Sequence, residues 1–240
     1  MADSGPRAIL ALKFPRNAEP RCACAGRTCP RHYLAFTGFM LAGFLLLHFL
    51  LNMLALWPSR FQAVIHYNHS LGPLLPLPEI LLIFLPLAIH VAFGVRTLKR
   101  ERLRFGVGKH HHGSDLRQWL QRLTGAILLL FLAFHIAAMH RWLGGRFQPG
   151  SAFESASQAV WQFWRGTPTA SFPNLLFAQF YLLGIAAAAY HAANGVATGA
   201  EVLGWVRTSN AQSWSRRASF CAAAFLLFAG LVAWWALAPK

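Results

Sequence analysis

The sequence predicts an all-α integral membrane protein with five transmembrane helices, four of them forming one bundle, and a cytoplasmic N-terminus. Three observations predict this. First, 56% of the 240 residues are hydrophobic and only 12% are charged, against roughly 25% charged in a soluble domain. Second, five apolar runs, at about 34–57, 77–98, 120–142, 174–200 and 218–237, each reach the ~20 residues that cross ~30 Å of hydrocarbon. Third, the basic residues segregate. Six precede the first span, eight lie between Arg96 and Arg122, and three (Arg207, Arg216, Arg217) lie in the fourth loop, so 17 fall on one side and 5 on the other. That is the positive-inside asymmetry, and it places the C-terminus outside. A net charge of +15 could also mean nucleic acid. Its placement beside the spans points instead to anionic lipid and an acidic partner protein.

Two domains are expected: a leader at 1–32 and a membrane domain at 33–240. The leader is polar, with Pro6, Pro15, Pro20 and Pro30, and no cleavable signal peptide is expected because the first apolar run is too long for one. Cys22, Cys24, Cys29 and His32 are donors of the kind zinc takes, yet their spacing matches no common finger, and the role of the cluster stays open. Spans one and two are joined by an outside loop at 58–76 rich in Pro, His and Asn. Spans two and three are joined by a basic cytoplasmic loop, where His110, His111 and His112 are read as solvated.

The outside loop 143–173 is the longest. Phe153, Ala156, Val160, Phe163 and Trp164 recur there near helical spacing. This predicts a short amphipathic helix lying in the interface, with Trp161 and Trp164 at headgroup level. The fifth span has no histidine, treats Cys221 as a packing residue and ends in Trp234-Trp235.

An internal repeat connects the first four spans. Thr37-Gly38 precedes His48 as Thr124-Gly125 precedes His135, and His90 and His191 are each followed by Gly-Val at the same offset. A two-helix unit is duplicated, with a fifth helix appended. A histidine inside a membrane is costly unless something uses it. One such residue could simply hydrogen-bond a neighbouring helix. Four, one per span in a repeated context, predict two haems gripped between helices.

Depth sets the pairing. His48 and His135 lie fourteen and fifteen residues into outward-running spans, or ~21–22 Å at 1.5 Å per residue. His90 and His191 lie eight or nine residues before the inner ends of spans two and four, ~12–14 Å from the cytoplasmic surface. The expected haem-iron ligands are therefore His48 with His135 for an outer haem and His90 with His191 for an inner one. Two imidazoles saturate a haem iron, which favours electron transfer over oxygen chemistry. Gly38, Gly43, Gly94, Gly125, Gly184 and Gly195 leave room for a wide plate or for close helix packing. Arg96, Arg122, Tyr33, Lys99 and Trp119 are placed for propionates of the inner haem, and Arg60, Asn52, His140 and Arg141 for the outer. The basic residues among them equally suit headgroup snorkelling.

These residues resemble the di-haem cytochrome b membrane subunit of succinate dehydrogenase/fumarate reductase (succinate:quinone oxidoreductase). The resemblance covers roughly 33–237. It rests on Tyr33 through Thr37-Gly38 to His48, Tyr67-Asn68-His69 to Gly72, Glu79 to His90 and Gly94, Thr124-Gly125 to His135, and Tyr190-His191 to Gly195 ahead of Leu203-Gly204. It implies two haem b groups, a bacterial inner-membrane location, and flavoprotein and iron–sulfur partners on the cytoplasmic face. It implies electron transfer between those partners and a quinone, often menaquinone in five-helix members. Neither partner's chemistry is encoded here: no Gly-rich dinucleotide motif opens a helix after a strand, and four cysteines cannot supply several iron–sulfur clusters.

A quinone site needs hydrogen-bonding groups beside an apolar pocket, and Glu79, His66, Tyr67, His69 and His140, with Glu154, are the outer-side candidates. The family's carboxylate near the outer end of the first helix has no counterpart, since no acid occurs between Glu19 and Glu79. Glu79 equally suits the first turn of span two, where it complements the macrodipole. Two other functions compete. A di-haem subunit of a hydrogenase or formate dehydrogenase usually places more than one ligand histidine on a single span. A transporter with a histidine proton relay would favour acids in its spans, which are nearly free of them.

Overall fold

A computed structural model describes residues 30–102, 112–140, 147–162 and 172–239, and among these there is no strand. Cys22, Cys24, Cys29, His110, His111, Arg141, Phe163 and Trp164 lie outside the described residues. The helices are α1 (Pro30–Met53), α2 (Pro58–His69), α3 (Pro76–Glu79), α4 (Leu85–Arg102), α5 (His112–Met139), α6 (Ala152–Trp161), α7 (Phe172–Val202) and α8 (Ser209–Ala236). Five stretches are long and apolar enough to cross a membrane: Pro30–Leu56, Gly72–Lys99, Leu116–Met139, Asn174–Val202 and Ser209–Ala236. They coincide with the five expected runs. Leu81, Leu82, Leu85, Leu129, Leu130, Leu176, Phe225 and Phe228 point outward, as a lipid-facing surface requires, because tails solvate them as well as a core would.

The second span is not one regular helix. Between α3 and α4 runs a π-helical turn, Ile80–Phe84, in which the Leu85 amide donates to the Ile80 carbonyl. Pro86 explains it. Proline has no amide to donate and its ring collides with the carbonyl four residues back, so the helix widens by one residue just ahead of it.

Packing follows side-chain size. α7 lies against α1, α5 and α8, while α1 lies against α4, α7 and α8. The four histidine-bearing helices therefore run in the order α4, α1, α7, α5, with α8 outside against α1 and α7. Little contact joins α4 to α5. α7 takes the central place because its buried residues include Ala178, Ala187, Ala188, Ala189, Ala193 and Ala197, and small residues let backbones approach. Gly184 is where the Phe131 ring presses on α7, and Gly230 on α8 meets Ile185 and Phe49.

One reading of the connections needs correcting. Residues 58–76 are not simply a loop, because Pro58–His69 is the helix α2, with proline in its first turn where the missing amide costs nothing. α6 is the short helix expected within 143–173. It buries Ala152, Ser155, Ala156, Ala159 and Val160 and packs on α7 and α2. Gln62 of α2 fixes it, donating to the Pro149 carbonyl at 2.5 Å and accepting from the Ala152 amide at 2.7 Å. Trp161 packs against Trp234 of α8 with ring centres 4.5 Å apart and planes tilted by 31°.

Candidate functional site

The structure brings the four histidines together as two pairs. His48 on α1 faces His135 on α5, with ring centres 5.9 Å apart and planes at 86°. His90 on α4 faces His191 on α7, at 6.2 Å and 79°. In the ring of helices α4, α1, α7, α5, each pair joins diagonal members. Thr37 of α1 touches His90, so the His90–His191 pair, the inner one in the expected topology, lies level with Thr37, and the His48–His135 pair is the outer one in that topology. His48 is eleven residues further on, which separates the two levels by ~16 Å along the helix. The same eleven residues separate Thr124 from His135 on α5, so the repeated Thr-Gly-to-His spacing is the distance between the two levels.

The inner pair is tied by polar contacts. Thr37 Oγ1 is 3.1 Å from His90 Nδ1. His191 Nδ1 is 3.1 Å from the Gln121 carbonyl and 3.4 Å from Thr124 Oγ1. A Cβ on Gly38 would sit 3.3 Å from the His90 ring, and one on Gly125 would sit 3.0 Å from the His191 ring. Around them runs a chain that joins α5 to α7. Arg117 Nε donates to Asn194 Oδ1 at 3.0 Å, Asn194 Nδ2 donates to Gln121 Oε1 at 2.6 Å, and Gln121 Nε2 donates to the His191 carbonyl at 3.1 Å.

The outer pair is walled by aromatic rings. Phe44 and Phe49 flank His48 at 5.5 and 6.3 Å. Phe131 stacks on His135 at 5.5 Å and Tyr181 meets it edge-on at 5.9 Å. Tyr181 is itself fixed, its hydroxyl donating to the Ala159 carbonyl of α6 at 3.2 Å. Asn52 Nδ2 donates to the His48 carbonyl at 2.7 Å and lies 3.4 Å from His48 Nε2. His135 Nδ1 is buried and, among the described residues, has no hydrogen-bond partner.

The facing imidazoles fit the donor set that a haem iron would take. A metal–imidazole bond of about 2.0–2.1 Å places two opposed nitrogens about 4 Å apart and the ring centres about 6 Å apart. Among the described residues no three His, Cys, Asp or Glu side chains converge on a metal position. Two imidazoles alone make a poor metal site, whereas a haem brings its own equatorial nitrogens and needs only the axial pair.

The other expected residues are spread out. Tyr33 stacks on Phe93 at 5.3 Å, Arg96 and Lys99 are exposed on α4, Trp119 is exposed on α5, and Arg122 is half-buried. Arg60 lies over the Trp57 ring at 5.6 Å. His66, Tyr67 and His69 are on α2, where Tyr67 is 77% exposed and the His69 ring contacts its own helix at the Ile65 carbonyl. Glu79 occupies the first turn of α3, Glu154 that of α6, and the His140 ring meets Phe84 of the π-helical turn. Sequence reasoning missed Gln121, Asn194, Arg117 and Tyr181, although amides inside apolar runs are a signal of interhelical bonding.

The sequence pattern of the succinate dehydrogenase/fumarate reductase transmembrane subunit family matches residues 99–231. The succinate dehydrogenase cytochrome b558 subunit of Bacillus subtilis (strain 168) is 27% identical over 194 residues, covering 79% of this chain and 86% of that one. No solved structure matches. With more than half its length matched and its apolar helices in place, this chain belongs to the succinate dehydrogenase/fumarate reductase transmembrane subunit family.

Proposed function

We propose that this chain anchors a succinate:quinone oxidoreductase in the membrane and carries electrons between its peripheral subunits and quinone. The observation that carries the reading is the pair of facing imidazole couples, at 6.2 Å and 5.9 Å, at two depths of one helical bundle. His90 and His191 would hold an inner haem b, and His48 and His135 an outer one. Bound there, each iron supplies one-electron exchange without an open coordination position. The protein's part is to fix the rings, keep water away with Phe44, Phe49, Phe131 and Tyr181, and hold the two levels apart.

The basic residues next to the first, second and fourth connections favour a cytoplasmic N-terminus in a bacterial inner membrane, crossed several times. A flavoprotein and an iron–sulfur protein would dock on that basic face. Quinone, menaquinone by the family likeness, would exchange electrons near the outer pair, with Glu79, His66, Tyr67, His69 and His140 as candidate hydrogen-bonding groups. Arg96, Arg122 and Tyr33 would meet propionates of the inner haem.

The test is to purify the complex through this chain and add succinate. The reading predicts co-purified flavin and iron–sulfur subunits, reduction of the chain's haem bands by succinate, and succinate-driven reduction of a soluble naphthoquinone. Haem bands that stay oxidised while the quinone is reduced would make the chain an anchor only. A hydrogenase or formate dehydrogenase partner in its place would assign it to another complex.

A further inference from the structure

The inner histidines rest on a device that the two halves of the molecule repeat. Thr37 Oγ1 lies 2.7 Å from the Tyr33 carbonyl, so its single hydroxyl proton is donated back along its own helix. Toward His90 Nδ1, at 3.1 Å, that oxygen therefore accepts. On the other half, Thr124 Oγ1 lies 2.7 Å from the Leu120 carbonyl and 3.4 Å from His191 Nδ1. The Gln121 carbonyl, 3.1 Å from the same nitrogen, has no proton to give, so Nδ1 donates. Gly38 and Gly125 follow the threonines, and their missing Cβ atoms let the rings sit against the helix backbone. Thr37 and Gly38 thus do for His90 what Thr124 and Gly125 do for His191.

We propose that Thr37 and Thr124 are positioning residues that hold His90 and His191 as Nδ1–H tautomers, leaving Nε2 as the nitrogen with the free lone pair. The proposal rests on the reading that this pair binds a haem iron. It adds that the donated hydrogen bond makes both rings more basic ligands and so favours ferric over ferrous iron at the inner level. At the other level His135 has no such seat, since among the described residues its buried Nδ1 has no partner.

Thr37→Val removes the hydroxyl acceptor at His90 while keeping the shape, and Thr124→Val removes the longer of the two acceptors at His191, leaving the Gln121 carbonyl. Spectroelectrochemical titration of the purified, haem-loaded chain should show the inner haem easier to reduce in Thr37→Val, by a few-fold in the ferrous-to-ferric ratio at fixed potential, and by less in Thr124→Val, with the outer haem unmoved. Thr37→Ser, which keeps the hydroxyl, should restore the original value. Loss of the inner haem in the valine variant but not in the serine variant also supports the seat. Unchanged potentials in both valine variants, or equal shifts in valine and serine variants, would overturn it. Nitrogen NMR of the full-length chain labelled with 15N-histidine separates this idea from the haem reading. In the haem-free full-length chain the spectrum should show Nδ1–H at His90 and His191, and a redistribution of that tautomer at His90 in Thr37→Val. Nε2–H at both residues in the unsubstituted haem-free chain would end the proposal even if the loaded chain binds two haems.

Discussion

The inner and outer histidine pairs have the same chemistry and nearly the same spacing, yet they are held differently. His90 and His191 are fixed by hydroxyl and carbonyl oxygens and backed by a polar chain through Gln121, Asn194 and Arg117. His48 and His135 are fixed by the faces and edges of Phe44, Phe49, Phe131 and Tyr181. A hydrogen bond specifies which nitrogen carries the proton, and ring packing specifies only the angle. The inner level should therefore respond to polar substitutions and the outer level to changes of volume.

The comparison breaks most sharply at the ligands. His90→Ala or His191→Ala should remove the inner haem and largely spare the outer, with the reverse for His48→Ala or His135→Ala, as read from the haem spectrum of each purified variant. Selective emptying of the outer site by His90→Ala would show that the pairing is wrong. Next in size is Phe131→Ala. That ring is buried and stacks on His135, so deleting it should cost about 3–5 kcal/mol and disturb the outer spectrum while the inner one stays intact. Gly184→Ala should act through the same ring, because the new methyl meets Phe131. Overpacking of about 1–3 kcal/mol should appear as a lower melting temperature together with a shifted outer haem band.

Smaller still is Asn194→Leu. Asn194 is 7% exposed and bridges Arg117 and Gln121. Its loss should cost about 0.6–2 kcal/mol and move the inner band alone, as seen by thermal melting followed at both haem wavelengths. An outer band that moves instead would erase the division between the two levels.

The spans were legible because a bilayer demands ~20 apolar residues, whatever packs against them. The two histidine levels were legible because helix rise converts position into depth. The neighbours of each span were not, since lipid and core are equally apolar and no hydrophobic period marks the buried face. α7 takes its central place through alanines and glycines, which carry no pattern of their own. α2 was hidden because only Phe61 of its twelve residues is buried, and its prolines and histidines read as loop. Thr37-Gly38 and Thr124-Gly125 were visible as a repeat tied to His48 and His135. Their partners, His90 and His191, lie on other helices, and only the fold brings them together.

Haem content and ligation of the purified chain test the central claim most directly. The account predicts two b-type haems per chain, both low-spin with two imidazole ligands, and a reduced-minus-oxidised spectrum that loses one component when either pair is broken. A chain that binds no haem, or that keeps both haems after His90→Ala and His48→Ala are combined, would contradict it.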